Sequence, residues 1–136
     1  MAAVPRSDPA PPSRRWLRSR VASFGFALAG VRELVLTQPH ARFHLLATLA
    51  VVTGGLALGV SRLEWAALVL SIGTVWTAEA VNTSIEWLVD LVHPEWHEAA
   101  GRVKDVAAGA VLLSAVAAVI TGALVFGPPV YALLSQ

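Results

Sequence analysis

The fold is decided by an uncharged stretch of 19 residues between Arg42 and Arg62, FHLLATLAVVTGGLALGVS (residues 43–61). A helix of this length crosses the hydrocarbon core of a bilayer, which is about 30 Å thick. A second apolar stretch, residues 63–92, contains several carboxylates, and a third, residues 106–127, carries no charge. Pro128 and Pro129 are expected to end the third helix, because proline lacks the N–H that a helix needs. The sequence therefore predicts three transmembrane helices.

The composition of the whole chain agrees with an all-α integral membrane protein. Apolar residues make up 56% of the 136 residues and charged residues 14%, whereas soluble domains carry about 25% charged residues. A soluble protein this small needs more polar groups than these to cover its surface. The chain has no cysteine, which excludes disulfides, thiolate metal sites and cysteine nucleophiles.

The N-terminal part of the chain has two distinct patterns. Residues 1–13 are rich in proline and predict a disordered tail. Over residues 14–37, apolar side chains recur every three or four positions and predict an amphipathic helix whose basic face suits a membrane surface. The same stretch also resembles a secretory signal peptide, but its helical pattern continues past the expected cleavage point, Ala27-Leu28-Ala29. We expect residues 14–136 to form one domain.

The distribution of basic residues predicts the orientation in the membrane. Seven of the ten basic residues precede residue 43, so the positive-inside rule places the N-terminus in the cytoplasm. With three spans, the loop at residues 93–104 returns to the cytoplasm, and the polar half of the second span faces the side where ATP is available. A nucleic-acid-binding protein needs basic residues along its whole domain, and this sequence lacks them. No nucleic-acid partner is therefore expected.

The second span carries a line of polar residues. Glu79, Asn82 and Glu86 are spaced i, i+3 and i+7, so their side chains share one helix face, and Asp90 continues the line. An ionised residue at the bilayer centre costs about 2.5–3.5 kcal/mol on insertion scales, so these carboxylates should face a protein-lined cavity. A catalytic site is one interpretation. Pairing with cations of neighbouring helices, or a proton path, are the alternatives.

A polar loop, His93-Pro94-Glu95-Trp96-His97-Glu98, follows the acidic helix, and Arg102, Lys104 and Asp105 come soon after it. These side chains could hold a nucleotide, with lysine on phosphate and carboxylate oxygens on Mg²⁺. A solvated loop with an anchoring tryptophan is the alternative. His40 and His44 flank the first span, and the sequence identifies no partner for either of them.

Several of these segments together resemble the small prokaryotic diacylglycerol kinase and undecaprenol kinase family. The resemblance rests on AEAVNTSIE (residues 78–86), Val89-Asp90, Glu95-Trp96-His97 and KDVAAGAVL (residues 104–112). It extends back through Gly30-Val31-Arg32 and Ala41-Arg42-Phe43-His44, and it covers about residues 20–126. A Glu-x-x-Asn-x-x-x-Glu helix followed by Lys-Asp after a loop is a far more specific combination than any lone motif.

The resemblance implies a homotrimer in the bacterial inner membrane, with active sites at subunit interfaces near the cytoplasmic boundary. It implies that Glu79 is the general base for a lipid hydroxyl that attacks the γ-phosphorus of ATP, with Asn82 supporting the site. Glu86 would hold Mg²⁺. The nucleotide would be lined by the residues after the acidic helix, namely Glu95, Trp96, His97, Lys104 and Asp105, together with Glu86.

One position departs from the family pattern. The best-studied family members carry a glutamate just after the surface helix that helps to bind metal, and this chain has Gln38 there. Because Glu86 remains, we expect the Mg²⁺ dependence to be shifted and not lost. Two alternative functions stay open. One is a non-catalytic trimeric membrane protein or proton conduit that uses the buried acids, and the other is a family member that binds lipid without catalysis. Residue spacing does not separate diacylglycerol from undecaprenol as the substrate.

Overall fold

The computed structural model describes residues 12–135, with side chains from residue 22 onward, and these residues form four helices and no strand. They are α1, Pro12–Thr37; α2, Pro39–Leu58; α3, Arg62–Val92; and α4, Glu98–Leu134. The prediction of an all-α fold is therefore confirmed for the part of the chain that is described. Most of the predicted tail, up to residue 11, lies outside the described residues.

The chain divides into two units between Glu33 and Leu34. In the first unit, helix α1 covers most of the range predicted for the surface helix, and Phe24, Phe26 and Leu28 are all exposed on it. Its location at a membrane surface stays a prediction. The second unit contains the last turn of α1 and helices α2, α3 and α4, which contact one another in all three pairs.

Two helices, α2 and α4, are long and apolar enough to cross a membrane. Helix α3 has 31 residues, and its carboxylates set it apart from the other two. The second unit buries few apolar side chains, whereas most of its leucines and valines are exposed. Water-facing surfaces rarely carry so many large apolar groups. This distribution suits a helix bundle surrounded by lipid or by further protein.

A tight turn joins α2 to α3. Gly59 ends α2 in the left-handed conformation, with φ of 65°, and its N–H donates to the carbonyl of Gly55. Ser61 starts α3 with a capping box, because its hydroxyl accepts from the N–H of Glu64 while the Glu64 carboxylate accepts from the N–H of Ser61. The indole of Trp65 packs over Gly55. The turn therefore makes α2 and α3 antiparallel neighbours.

Two side-chain contacts show how α3 is aligned with its neighbours. On the α2 side, the indole N–H of Trp76 donates to Thr48 Oγ1 at 3.0 Å. On the α4 side, Lys104 Nζ donates to Asp90 Oδ1 at 2.5 Å. These contacts place the C-terminal half of α3 next to the N-terminal parts of both α2 and α4. The polar line of α3 therefore lies at the end of the bundle where α2 and α4 begin.

The expectation that Pro128 and Pro129 end the last helix is wrong. Helix α4 continues through both prolines to Leu134. A proline within a helix removes one backbone hydrogen bond, but its fixed φ of about −65° is itself helical. Helices at membrane depth tolerate such breaks when neighbouring groups satisfy the freed carbonyls. Helix α4 also begins at Glu98, so Lys104 lies on a helix and not in the predicted loop, and Asp105 follows it on the same helix.

Candidate active site

The buried polar groups of the bundle lie on α3. Glu79 is 3% exposed, and Asn82 and Thr83 are buried beside it. Residues spaced by three and four positions share one helix face, so the sequence spacing and the burial agree. Large apolar side chains are exposed elsewhere while these polar ones are buried, which is the reverse of an ordinary soluble core. A buried carboxylate in an apolar bundle is a functional-site candidate by default.

Asn82 and Glu86 form a hydrogen-bonded pair one turn further along α3. The amide Nδ2 of Asn82 donates to Glu86 Oε1 at 2.9 Å. The other end of the amide, Asn82 Oδ1, is buried and has no hydrogen-bond partner in the described part of the chain. Buried polar atoms almost always have partners, so this oxygen is available to a bound ligand. The pair thus offers a carboxylate and an amide oxygen close together.

These oxygens fit a hard divalent cation that arrives with a phosphate ligand. Mg²⁺ prefers oxygen ligands and is often held by one or two carboxylates together with substrate phosphates. Among residues 12–135, no three His, Asp or Glu side chains are close enough to form a metal cluster. Glu86 and Asn82 could therefore share a cation with the phosphates of a nucleotide.

Gln38 lies at the N-terminal cap of α2 and is half-buried, and its side chain makes no capping hydrogen bond. The antiparallel pairs His44–Glu79 and Thr48–Trp76 give the register of α2 against α3. Continued towards the start of α2, this register puts Gln38 at the level of Glu86. A role for Gln38 as a metal ligand stays a prediction.

The second group of predicted residues surrounds a pocket of about 310 Å³ at the α3–α4 junction. Asp90 and Lys104 form a salt bridge at this pocket. All five residues of the connection between α3 and α4 line it, and the predicted residues Glu95, Trp96 and His97 are among them. The Nδ1 atom of His97 accepts from the N–H of Ala99 and so caps α4. Asp105 is exposed and does not line this pocket. The structure thus assembles all the predicted nucleotide residues except Asp105 and Glu86 around one pocket.

An apolar groove of about 1120 Å³ runs between α3 and α4. Its walls are mostly apolar side chains such as Val81, Ile85 and Val106, and Asn82 is one of its few polar lining residues. A groove of this kind suits a lipid chain, and its contact with Asn82 connects it to the buried polar face of α3.

The contact between His44 and Glu79 could not be predicted from the sequence. The structure places His44 Nε2 3.9 Å from Glu79 Oε2, and both side chains are largely buried. The i, i+3 pattern within α3 could not show this contact, because His44 belongs to another helix. Its position one turn before Thr48, in a stretch without formal charge, is the only sequence signal that could have singled it out.

Comparison with known proteins shows which family the chain resembles. The sequence model of the family "Prokaryotic diacylglycerol kinase" matches residues 25–126. A diacylglycerol kinase of Synechocystis sp. is 41% identical over 84% of this chain and 66% of its own length, so the chain spans slightly less than two thirds of that relative. An undecaprenol kinase of Bacillus subtilis is 40% identical over 78% of this chain and 86% of its own length.

A diacylglycerol kinase of Escherichia coli is 32% identical over 74% of this chain and 83% of its own length. The range matched by the family model, residues 25–126, contains all of α2 and α3 and most of α4. Every candidate site residue described above lies within it. Together with the two candidate membrane-spanning helices, these relatives indicate a bacterial membrane protein. The chain belongs to the prokaryotic diacylglycerol kinase family of lipid kinases.

Proposed function

We propose that the protein is an Mg-ATP-dependent kinase that transfers the γ-phosphate of ATP to the primary hydroxyl of a membrane lipid. The observation that carries this proposal is the buried carboxylate of Glu79, aligned on one face of α3 with Asn82 and Glu86. Phosphoryl transfer needs positioning and charge neutralisation more than covalent chemistry by the protein. A base, an amide and a second carboxylate in a partly dry site can supply these needs.

In the proposed reaction, the lipid hydroxyl oxygen forms a bond to the γ-phosphorus while the bond from that phosphorus to the β–γ bridging oxygen breaks. ADP leaves with the electron pair of the broken bond, and the hydroxyl proton passes to the Glu79 carboxylate. Asn82 holds Glu86 in place through its amide hydrogen bond. A bound Mg²⁺ would neutralise phosphate charge, and Glu86, Asn82 Oδ1 and Gln38 are the groups proposed to hold it.

The two substrates would approach Glu79 from different sides. The pocket at the α3–α4 junction offers Lys104 for phosphate and Trp96, which is exposed, for the nucleotide base or sugar. Asp105 is proposed to contribute from the next position on α4. The apolar groove between α3 and α4 would admit the lipid laterally from the membrane. A lipid whose hydroxyl enters beside Asn82 reaches the polar face without leaving the bilayer.

We further propose that α3 also crosses the membrane, as the second of three spans, and that three chains form a trimer. A carboxylate-bearing helix crosses a membrane most readily when protein covers it, and the exposed apolar side chains of this unit leave surface for such contacts. The basic N-terminal region favours a cytoplasmic N-terminus and a cytoplasmic active site in a bacterial inner membrane.

The lipid substrate is tested by supplying purified protein in mixed micelles with γ-labelled ATP and Mg²⁺. Diacylglycerol, undecaprenol and no lipid are compared in parallel, because relatives of nearly equal similarity carry each name. We expect label in at least one lipid. No label in either lipid, from a protein that is helical and oligomeric, would refute the kinase. Proton flux into vesicles without ATP would then support a conduit.

A further inference from the structure

The contact between α2 and the buried carboxylate of α3 has no role in the mechanism above. His44 Nε2 faces Glu79 Oε2 at 3.9 Å, with side chains 13% and 4% exposed. This distance is longer than a hydrogen bond, but a small shift of either side chain, or one bridging water, closes it. We infer that His44 is a positioning residue, which orients the carboxylate of Glu79 and stabilises its charge. This inference rests on the proposed function.

The packing contacts between α2 and α3 hold His44 in this position. Trp76 donates its indole N–H to Thr48 Oγ1, and Thr48 donates its hydroxyl to the backbone carbonyl of His44 at 2.8 Å. His44 lies one turn before Thr48 on α2, and Glu79 lies one turn after Trp76 on α3. The pairs His44–Glu79 and Thr48–Trp76 are therefore successive contacts along the antiparallel interface of α2 and α3. The packing of these two helices directs the imidazole towards the carboxylate.

Among the ionisable side chains described near Glu79, His44 is the one that contacts its carboxylate. Among the described side chains of residues 22–135, none donates a hydrogen bond to the Glu79 carboxylate, and its one ion-pair contact is with His44. Helix α2 has no formal charge after Arg42, and α4 has no ionisable group between Val106 and Val130. On α3 itself, the nearest ionisable group towards the C-terminus is the carboxylate of Glu86, which would repel a charge on Glu79.

The chemistry of imidazole suits this task. An N–H at Nε2 can donate to a carboxylate oxygen whether the ring is neutral or charged. A buried carboxylate without such a donor is poorly stabilised, and it can rotate away from the substrate hydroxyl. Because a displacement of about 1 Å at a reacting group can lower a rate by about 100-fold, a donor that fixes Glu79 affects turnover more than ATP binding.

The test compares His44→Ala, His44→Gln and His40→Ala in the lipid phosphorylation assay. His40 is the matched control, since it lies one turn away on the same helix and is exposed. We expect His44→Ala to lower kcat by roughly 10- to 100-fold while KM for ATP changes less than about twofold. His44→Gln keeps an N–H donor and should recover most of kcat. His40→Ala should resemble the wild type.

A double-mutant cycle shows whether His44 acts through Glu79. If it does, His44→Ala causes no further loss of residual turnover in a Glu79→Gln background. An equal loss in both backgrounds, or a His44→Ala variant that keeps wild-type kcat, would overturn the inference. These outcomes leave the kinase intact, whereas absence of lipid phosphorylation by the wild type would refute the proposed function.

A readout without turnover tests the contact itself. In protein with ¹⁵N-labelled histidine, the Glu79→Gln variant should change the imidazole nitrogen shifts of His44. Glu98→Gln, which removes an exposed surface carboxylate, should leave them unchanged. Unchanged His44 shifts in both variants would overturn the inference even if the kinase were inactive under the assay conditions.

Discussion

Adding one methyl group at Gly55 should destabilise the α2–α3 hairpin. A Cβ there would lie 2.8 Å from Cη2 and 2.9 Å from Cζ2 of Trp65, whereas carbon atoms pack best at about 3.5–4.0 Å. The indole is rigid, so the ring or the whole hairpin must shift. Overpacking of this kind costs about 1–3 kcal/mol.

Gly54 provides a matched control on the same helix. A Cβ on Gly54 would meet Phe126 at 3.8 Å, which is ordinary van der Waals contact. Both Gly→Ala changes gain about 1 kcal/mol of helix propensity, so the difference between them isolates the overlap with Trp65. We expect Gly55→Ala to be less stable than Gly54→Ala by about 1–3 kcal/mol.

The assay follows helix content by circular dichroism as SDS is added to purified protein in mild detergent. Gly54→Ala should unfold at the wild-type SDS fraction or above it, and Gly55→Ala below it. A smaller ring should relieve the overlap, so Trp65→Phe combined with Gly55→Ala should recover part of the loss. Equal stability of the two alanine variants would show that Trp65 does not pack over Gly55.

Two further predictions concern the nucleotide and the metal. The Lys104–Asp90 pair is 34% and 62% exposed, so it contributes at most about 1 kcal/mol to stability. Lys104→Gln should therefore barely change the free energy of unfolding. It should raise KM for ATP by roughly 10- to 100-fold, since a lost charged hydrogen bond is worth about 1.5–3 kcal/mol and each factor of ten corresponds to about 1.4 kcal/mol. An unchanged KM would show that Lys104 is not part of the nucleotide site. Gln38→Glu adds a carboxylate at the level of Glu86. The variant should therefore reach half-maximal activity at a lower Mg²⁺ concentration than the wild type. An unchanged Mg²⁺ titration would mean that Gln38 is not a ligand.

The sequence was sufficient for those features that depend on one helix at a time. Hydropathy and spacing predicted the helical fold and the shared face of Glu79, Asn82 and Glu86, because helix periodicity fixes which side chains of one segment are neighbours. Sequence pattern could not predict that α4 continues through Pro128 and Pro129. The expectation that proline ends a helix considers only neighbouring residues, whereas packing against other helices can stabilise a helix that contains proline.

Contacts between helices needed the structure. The approach of His44 to Glu79 depends on the α2–α3 register, which the turn at Gly59 and the Trp76–Thr48 hydrogen bond determine together. The salt bridge between Asp90 and Lys104 likewise depends on where the α3–α4 connection ends. Sequence spacing carries no information about such registers, because each residue pair is separated by a turn of undetermined geometry.

The buried carboxylate of Glu79 is proposed to accept the proton of the lipid hydroxyl. The test compares kcat of Glu79→Gln with kcat of Glu98→Gln at saturating ATP and lipid. Glu98 is 75% exposed and pairs with Arg102 on the surface of α4, so its variant should keep wild-type turnover. We predict that Glu79→Gln lowers kcat by at least about 100-fold while the protein stays folded. A folded Glu79→Gln variant with turnover similar to that of Glu98→Gln would show that Glu79 is not the base.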